Sequence, residues 1–183
     1  MAKGQESDSL RERLIRAGIE EIAAHGIADF SLRRVANACQ VSCAAPYRHF
    51  ENREAFIGAT VAYINSQWGL LRENIARLFQ GDPRRQLTEL CVAYIRFLFA
   101  NDNYRSVLIA SGEGWDEDER IAALLQACTP DGSEQEKKRR HYAIRAIIYG
   151  TVAMLESGEL ANEEDSFRMI RQTVLYEIER KGC

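Results

Sequence analysis

Apolar positions recur along the chain at helical spacing. A first helix is expected over residues 9–25, with Ile15, Ile19 and Ile22 on one face and Gly26 as its stop. Over 31–56, SLRRVANACQVSCAAPYRHFENREAF, the pattern predicts two short helices joined by a tight turn, with a third helix beginning just beyond. Ser31 is suited to cap the first, whose small apolar face is Leu32, Val35, Ala36 and Cys39. Gln40, Val41 and Ser42 make the turn, and Ser42 is expected to cap the second helix. That order is the shape of a helix-turn-helix. Asn52 is the expected cap of a long helix over 53–79, in which Ile57, Val61, Ile64, Trp68, Leu71, Ile75 and Leu78 alternate spacings of four and three. At 1.5 Å per residue such a helix is about 40 Å long.

Gly81, Asp82 and Pro83 break the long helix, and the next is expected over 84–100. From Leu90 to Ala100 its only charge is Arg96, so it should be the most buried helix of the body, although it is too short to span a membrane. Helices over 104–111 and 117–128 follow, separated by an acidic loop around Trp115. Two long helices, over 134–157 and 163–180, finish the chain. The basic run 137–140 is read as a solvated face paired with Glu134 and Glu136. The last helix carries Phe167, Met169, Ile170, Val174, Leu175, Tyr176 and Ile178, more apolar surface than one face of a monomer needs, which suggests an interface.

Composition changes this picture little. Hydrophobic residues make up 46% and charged residues 28% of 183, as in ordinary globular chains. No signal-peptide core or long apolar run is present, so a cytoplasmic protein with no membrane association is expected. The net charge of −3 becomes informative when resolved along the chain: between Ser31 and Arg53 four arginines face only Glu51, a balance of +3 that leaves −6 elsewhere. A basic tip on an acidic body permits phosphate contact at one end. Five cysteines without a secretory context argue against a disulfide framework.

The stretch 31–56 resembles the DNA-binding motif of the tetracycline-repressor (TetR) family of bacterial regulators. The resemblance rests on Ser31, Val35, Ala36, Cys39, Gln40, Val41, Ser42, Tyr47, His49, Phe50, Arg53, Glu54 and Phe56, and extends to Ile15, Ala17 and Gly26. Three departures stand out: Cys39 where Ala is common, Gln40 where Gly is common and Pro46 where Leu is common. If Gln40 must be left-handed, its side chain costs roughly 1 kcal/mol relative to Gly. Pro46 would fall in the first turn after Ser42, which predicts a recognition helix with an irregular start.

The resemblance implies an all-α protein, with a three-helix DNA-binding domain over 1–56 and a helical effector-binding and dimerisation domain over 57–183. It implies that Arg33, Cys43, Ala44 and Ala45 meet base edges, that Ser31, Ser42, Tyr47, His49 and Arg53 contact phosphates, and that Arg48 does either. It further implies a homodimer through the last two helices, a near-palindromic operator in double-stranded DNA, and repression relieved by a small apolar or aromatic effector. Aromatic and polar candidates for the effector site are Trp68, Tyr94, Phe97, Tyr104, Trp115, His141, Tyr142 and Tyr149. No cofactor or metal is called for.

Other classes remain to be weighed. Cys39 and Cys43 flank the turn, and a thiol near a helix start is easier to oxidise, so a redox switch is one alternative. A helical interaction module without DNA binding is another, opposed by the presence of Tyr47, Arg48 and Arg53. An enzyme is not expected: there is no G-x-S-x-G elbow, Walker loop or H-E-x-x-H, and the three histidines are far apart.

Overall fold

A computed structural model describes residues 9–111 and 117–180. Among the described residues the chain forms eight α-helices and one 3-10 helix, with no strand, which makes the fold all-α. The expectations for residues 1–8, for the acidic loop with Trp115 and for Cys183 lie outside the described residues.

Capping chemistry sets most boundaries. Helix α1 (Leu10–His25) opens on a capping box, with Ser9 Oγ accepting from Glu12 N at 3.3 Å and Ser9 N donating to Glu12 Oε2 at 3.2 Å, and stops at Gly26. Ser31 caps α2 (Leu32–Ala38), accepting from Arg34 N at 3.4 Å. Asn52 Oδ1 accepts from Ala55 N at 2.7 Å and starts α3 (Arg53–Leu78). Asp82 caps α4 (Pro83–Ala100), with Pro83 at a first-turn position where its missing N–H costs nothing. Helices α5 (Asp102–Ser111) and α6 (Glu117–Cys128) follow. Ser133 caps α7 (Glu134–Ser157), and α8 (Glu164–Glu179) ends the chain's described part.

The described residues pack as two compact units. One comprises those of Met1–Ser66 and Asp102–Glu113, the other those of Gln67–Asn101 and Gly114–Cys183. In the first, α1 packs against α2 and α5. Its core includes Leu14, Ile15, Ile19, Ile22, Val35, Phe56, Ile64 and Val107, all nearly inaccessible. Residues of α3 fall in both units, so the division between them lies inside this helix.

In the second unit α4 is central, packing against α6, α7 and α8. It buries Leu87, Leu90, Cys91, Val92, Tyr94, Ile95 and Leu98, as its nearly uncharged sequence requires. Two expectations fail here. Leu71 and Leu78, placed in the apolar seam of α3, are 41% and 76% exposed, while Trp68 and Ile75 are buried. At 3.6 residues per turn Ile75 stands only about 20° round from Trp68, whereas Leu71 and Leu78 stand roughly 60–80° away and miss the body's core.

The basic run 137–140 is not uniformly solvated either. Arg140 is 4% exposed, and its guanidinium donates to the carbonyls of Ile178 and Arg180 and to Glu136 Oε1. A buried cation thus holds the carbonyl end of α8, where the helix dipole favours positive charge. Beside it Arg139 pairs with the mostly buried Glu177 at 2.9 Å.

Polar contacts also fix α8 to α4. Arg171 reaches Glu89 at 3.1 Å and Glu164 at 2.8 Å, Arg96 reaches Glu164 at 2.7 Å, and the Arg96 guanidinium lies 3.8 Å from the Phe167 ring centre. Hydrogen bonds from Arg171 and then Arg96 hold the Glu164 carboxyl below the usual carboxylate range.

Candidate nucleic-acid interface

The reading head is built on α2, and α1 anchors that helix at both ends. At its start, Glu21 Oε1 accepts from Ser31 N at 3.3 Å and from Arg34 Nε at 2.6 Å. That hydrogen bond is the largest cause raising the Arg34 guanidinium pKa. At its end, Arg13 Nη2 donates to the Cys39 carbonyl at 2.9 Å, and Cys39 Sγ lies 3.5 Å from the Arg13 carbonyl. Neither Glu21 nor Arg13 is singled out by the sequence, since pairing across helices leaves no local pattern.

The turn after α2 is a Schellman motif. Val41 N donates to the Ala36 carbonyl at 3.0 Å and Gln40 N to the Asn37 carbonyl at 3.0 Å. The motif needs a left-handed residue between them, and Gln40 takes that role with φ +58°, unlike every other described non-glycine residue. The left-handed turn expected at this position is therefore present, with its cost.

The second helix of the motif departs from expectation. Residues 43–45 form a turn and Pro46–Arg48 a 3-10 helix; no α-helix forms between the turn and α3. A helix capped by Ser42 would make its first i→i−4 bond from the amide of residue 46 to the Ser42 carbonyl, and proline has no amide hydrogen. Ala45 N takes that carbonyl instead at 2.9 Å, and Arg48 N and His49 N continue the tighter pattern to Ala45 and Pro46 at 3.1 and 3.0 Å. Ser42 closes the turn with its backbone, not as a helix cap.

An aromatic cluster supports this irregular segment from below. Phe50 meets Phe56 edge-on at a ring separation of 4.6 Å, and Phe30 lies 5.4 Å from Phe56. Gly18 of α1 leaves the room: a Cβ there would overlap Cε1 and Cζ of Phe56. The core, rather than the segment's own hydrogen bonds, positions the reading turn.

The predicted contact residues divide accordingly. Arg33, Ser42, Cys43, Ala44, Tyr47, Arg48 and His49 are exposed, and Ser31 is half-buried by its capping role. Ala45 is buried at 8% exposure. Arg53 is engaged within its own unit: it donates to the Ile27 carbonyl, pairs with Glu54 at 3.7 Å and lies 5.8 Å from the Phe30 ring centre. Arg34 is likewise committed to Glu21 and to the Asp29 carbonyl. Of the four arginines that make this stretch basic, Arg33 and Arg48 have no ion-pair partner among the described residues.

The cysteines lose their common rationale. Cys39 is 5% exposed and burial pushes its thiol pKa up, which disfavours the reactive thiolate. Cys43 is exposed and lies in the turn before the 3-10 helix, not at the start of an α-helix. Among the described residues no cluster of His, Cys, Asp or Glu is placed to hold a metal ion, and no helix is long and apolar enough to cross a membrane.

The described effector candidates are divided between the two units. Trp68 stacks with Tyr94 and Phe97 at ring separations of 4.7 and 5.4 Å inside the core of the second unit. Tyr104 lies on α5 in the first unit, where burial and then Tyr63 push its phenol pKa up. His141, Tyr142 and Tyr149 border an open groove of about 500 Å³ along α7, together with Lys138, Arg145 and Ala146.

Among the described residues, a braced turn after a capped short helix is the framework of a helix-turn-helix, a motif that binds DNA in transcriptional regulators. Residues 14–60 match the family described as "Bacterial regulatory proteins, tetR family". The match covers the amino-terminal part of the chain, where the helix-turn-helix lies. It is 26% identical over 152 residues to the Escherichia coli K12 protein named "Probable acrEF/envCD operon repressor", with 72% of this chain and 69% of that protein covered. Among solved structures it resembles a TetR-like regulator from Rhodococcus sp. RHA1, with TM-score 0.72, 16% identity and coverage of 97% and 100%. It also resembles the TetR-family regulator PfmR from Thermus thermophilus, with TM-score 0.69, 15% identity and coverage of 97% and 100%. Both likenesses are of fold.

Proposed function

We propose that the protein is a cytoplasmic repressor that binds a near-palindromic operator as a homodimer. The observation that carries this reading is the exposed run of Cys43, Ala44, Tyr47, Arg48 and His49, braced by the Phe50, Phe56 and Phe30 cluster and preceded by the exposed Arg33. Cys43, Ala44 and Arg33 meet base edges, while Ser42, Tyr47 and His49 contact phosphates and Arg48 serves either purpose. Ser31, Ala45 and Arg53 act from behind, holding the turn in place.

Dimerisation uses α7 and α8. In the single chain α7 exposes Tyr142, Ala146, Gly150, Ala153 and Met154, which recur along one stripe, and α8 exposes Met169, Thr173 and Tyr176. Gly150 has open space over its α-carbon, so a partner helix can approach closely there. Two-fold symmetry sets the reading heads about 34 Å apart, one turn of DNA.

Release follows binding of a small apolar or aromatic effector in the carboxy-terminal body. The α7 groove with His141, Tyr142 and Tyr149 supports this, since its aromatic walls suit a planar molecule. The test is titration of labelled DNA from the gene's own upstream region with purified protein over a salt series. Salt-dependent binding by a dimer is expected, weakened at least tenfold in the Arg48→Ala variant. A protein that retards none of this DNA at any salt concentration sinks the reading.

A further inference from the structure

We propose that Arg11, in the first turn of α1, is a DNA-phosphate contact of the reading head. The inference rests on the DNA-binding reading above. Two of the arginines that make residues 31–53 basic are spent internally, Arg34 on Glu21 and Arg53 on the Ile27 carbonyl and Glu54. The charge available to phosphates within that stretch is thus half of what the sequence suggests.

Arg11 supplies the missing cation from outside the motif. It is exposed and has no ion-pair partner among the described residues. Its guanidinium carbon lies 5.3 Å from the centre of the Phe50 ring, and the same ring lies 6.3 Å from the His49 imidazole. One aromatic side chain therefore carries both groups beside the exposed turn. The α1 capping box between Ser9 and Glu12 fixes the backbone on either side of Arg11, so the guanidinium departs from a rigid base. Its position is electrostatically awkward for the helix itself, because a cation near the amino end of α1 opposes the helix dipole. A nearby phosphate removes that conflict, since the guanidinium and the amino end of α1 both favour an anion.

A purely structural alternative exists, in which Arg11 only shields the Phe50 ring. The experiment compares the full chain with its Arg11→Gln and Arg11→Lys variants, measuring affinity across a salt series on two duplexes, one from its upstream region and one of random sequence. For a phosphate contact, Arg11→Gln weakens both duplexes by a similar factor, roughly 5- to 10-fold at low salt, and lowers the slope of log affinity against log salt by about 1. Arg11→Lys, which keeps the charge, restores the slope. If the wild type binds and Arg11→Gln keeps its slope while melting earlier, Arg11 is a shield and the assignment is overturned alone. A wild type that binds neither duplex overturns this assignment together with the DNA-binding reading.

Discussion

Gly18 and Phe56 are packed so closely that the Phe56 ring occupies the space a side chain on Gly18 would need. Phe56 is fully buried, and its ring is the common neighbour of Phe30 and Phe50. Gly18→Ala would ordinarily help a helix by roughly 0.5–1 kcal/mol. Here it forces the ring against its neighbours, and overpacking of this kind costs about 1–3 kcal/mol. Urea unfolding is expected to register a net loss of about 1–2 kcal/mol, with DNA affinity falling as the reading turn shifts. A stabilised variant would contradict the packing.

Gln40 makes the opposite case. Its backbone is left-handed in a turn whose hydrogen bonds demand that conformation. Gln40→Gly removes the steric penalty, and the expected gain is about 1 kcal/mol in unfolding free energy. A measured loss would mean that the side chain makes compensating contacts.

Arg140 carries a larger share. Replacing it by Leu leaves the carbonyls of Ile178 and Arg180 without their donor and Glu136 without its partner. A loss of about 3 kcal/mol is expected, with Arg140→Lys a poor rescue because one ammonium cannot reproduce the fork. Because α8 is one of the two proposed dimer helices, sedimentation should also detect weaker association.

The Glu164 carboxyl is held low by Arg171 and Arg96 in the folded chain. A carboxylate whose folded pKa is depressed adds stability that is present above its unfolded value and is lost as pH falls through the folded one. Glu164→Gln should therefore melt earlier than the wild type near neutrality, and the gap should close as the pH falls through and below the ordinary carboxylate range. Salt should shrink the gap too, because Glu164 is 62% and Arg96 47% exposed. A gap independent of pH would remove the ion-pair explanation.

Thiol chemistry separates Cys39 from Cys43. Burial raises the Cys39 pKa, so its contribution to stability is full below the unfolded thiol range and declines as pH rises through the folded value. A thiolate-selective reagent near pH 8 should modify Cys43 well before Cys39, located by peptide mass mapping. Cys43→Ser is expected to alter DNA affinity modestly, as a base-edge contact should, and to leave any peroxide response unchanged; loss of that response in the variant would revive a redox switch.

Much of the helical frame is legible in the sequence because its signals are local. Ser31 and Asn52 cap the helices that follow them as their positions predict, and Ser9 with Glu12, Asp82 and Ser133 act through contacts equally local. The features that escape reading depend on partners far along the chain. Arg140 lies in a run of four basic residues that looks solvated until α8 arrives beside it, 38 residues later. Trp68, Tyr94 and Phe97 look as suited to a ligand as to one another, and only their packing decides. Pro46 is intermediate: the irregular start it imposes is foreseeable, but the outcome, a turn followed by the three-residue 3-10 helix Pro46–Arg48, is not.

The double anchoring of α2 by Glu21 and Arg13 bears on how the reading head comes into being. Seven residues are about half the length at which an isolated helix is even marginal in water. Helix α2 therefore cannot persist as a folded island when α1 is absent. In a fragment beginning after Gly26 the reading head would lose its fold, and any fluctuation that frees α1 melts the DNA-facing surface in the same step. Assembly and recognition in this domain are a single cooperative event.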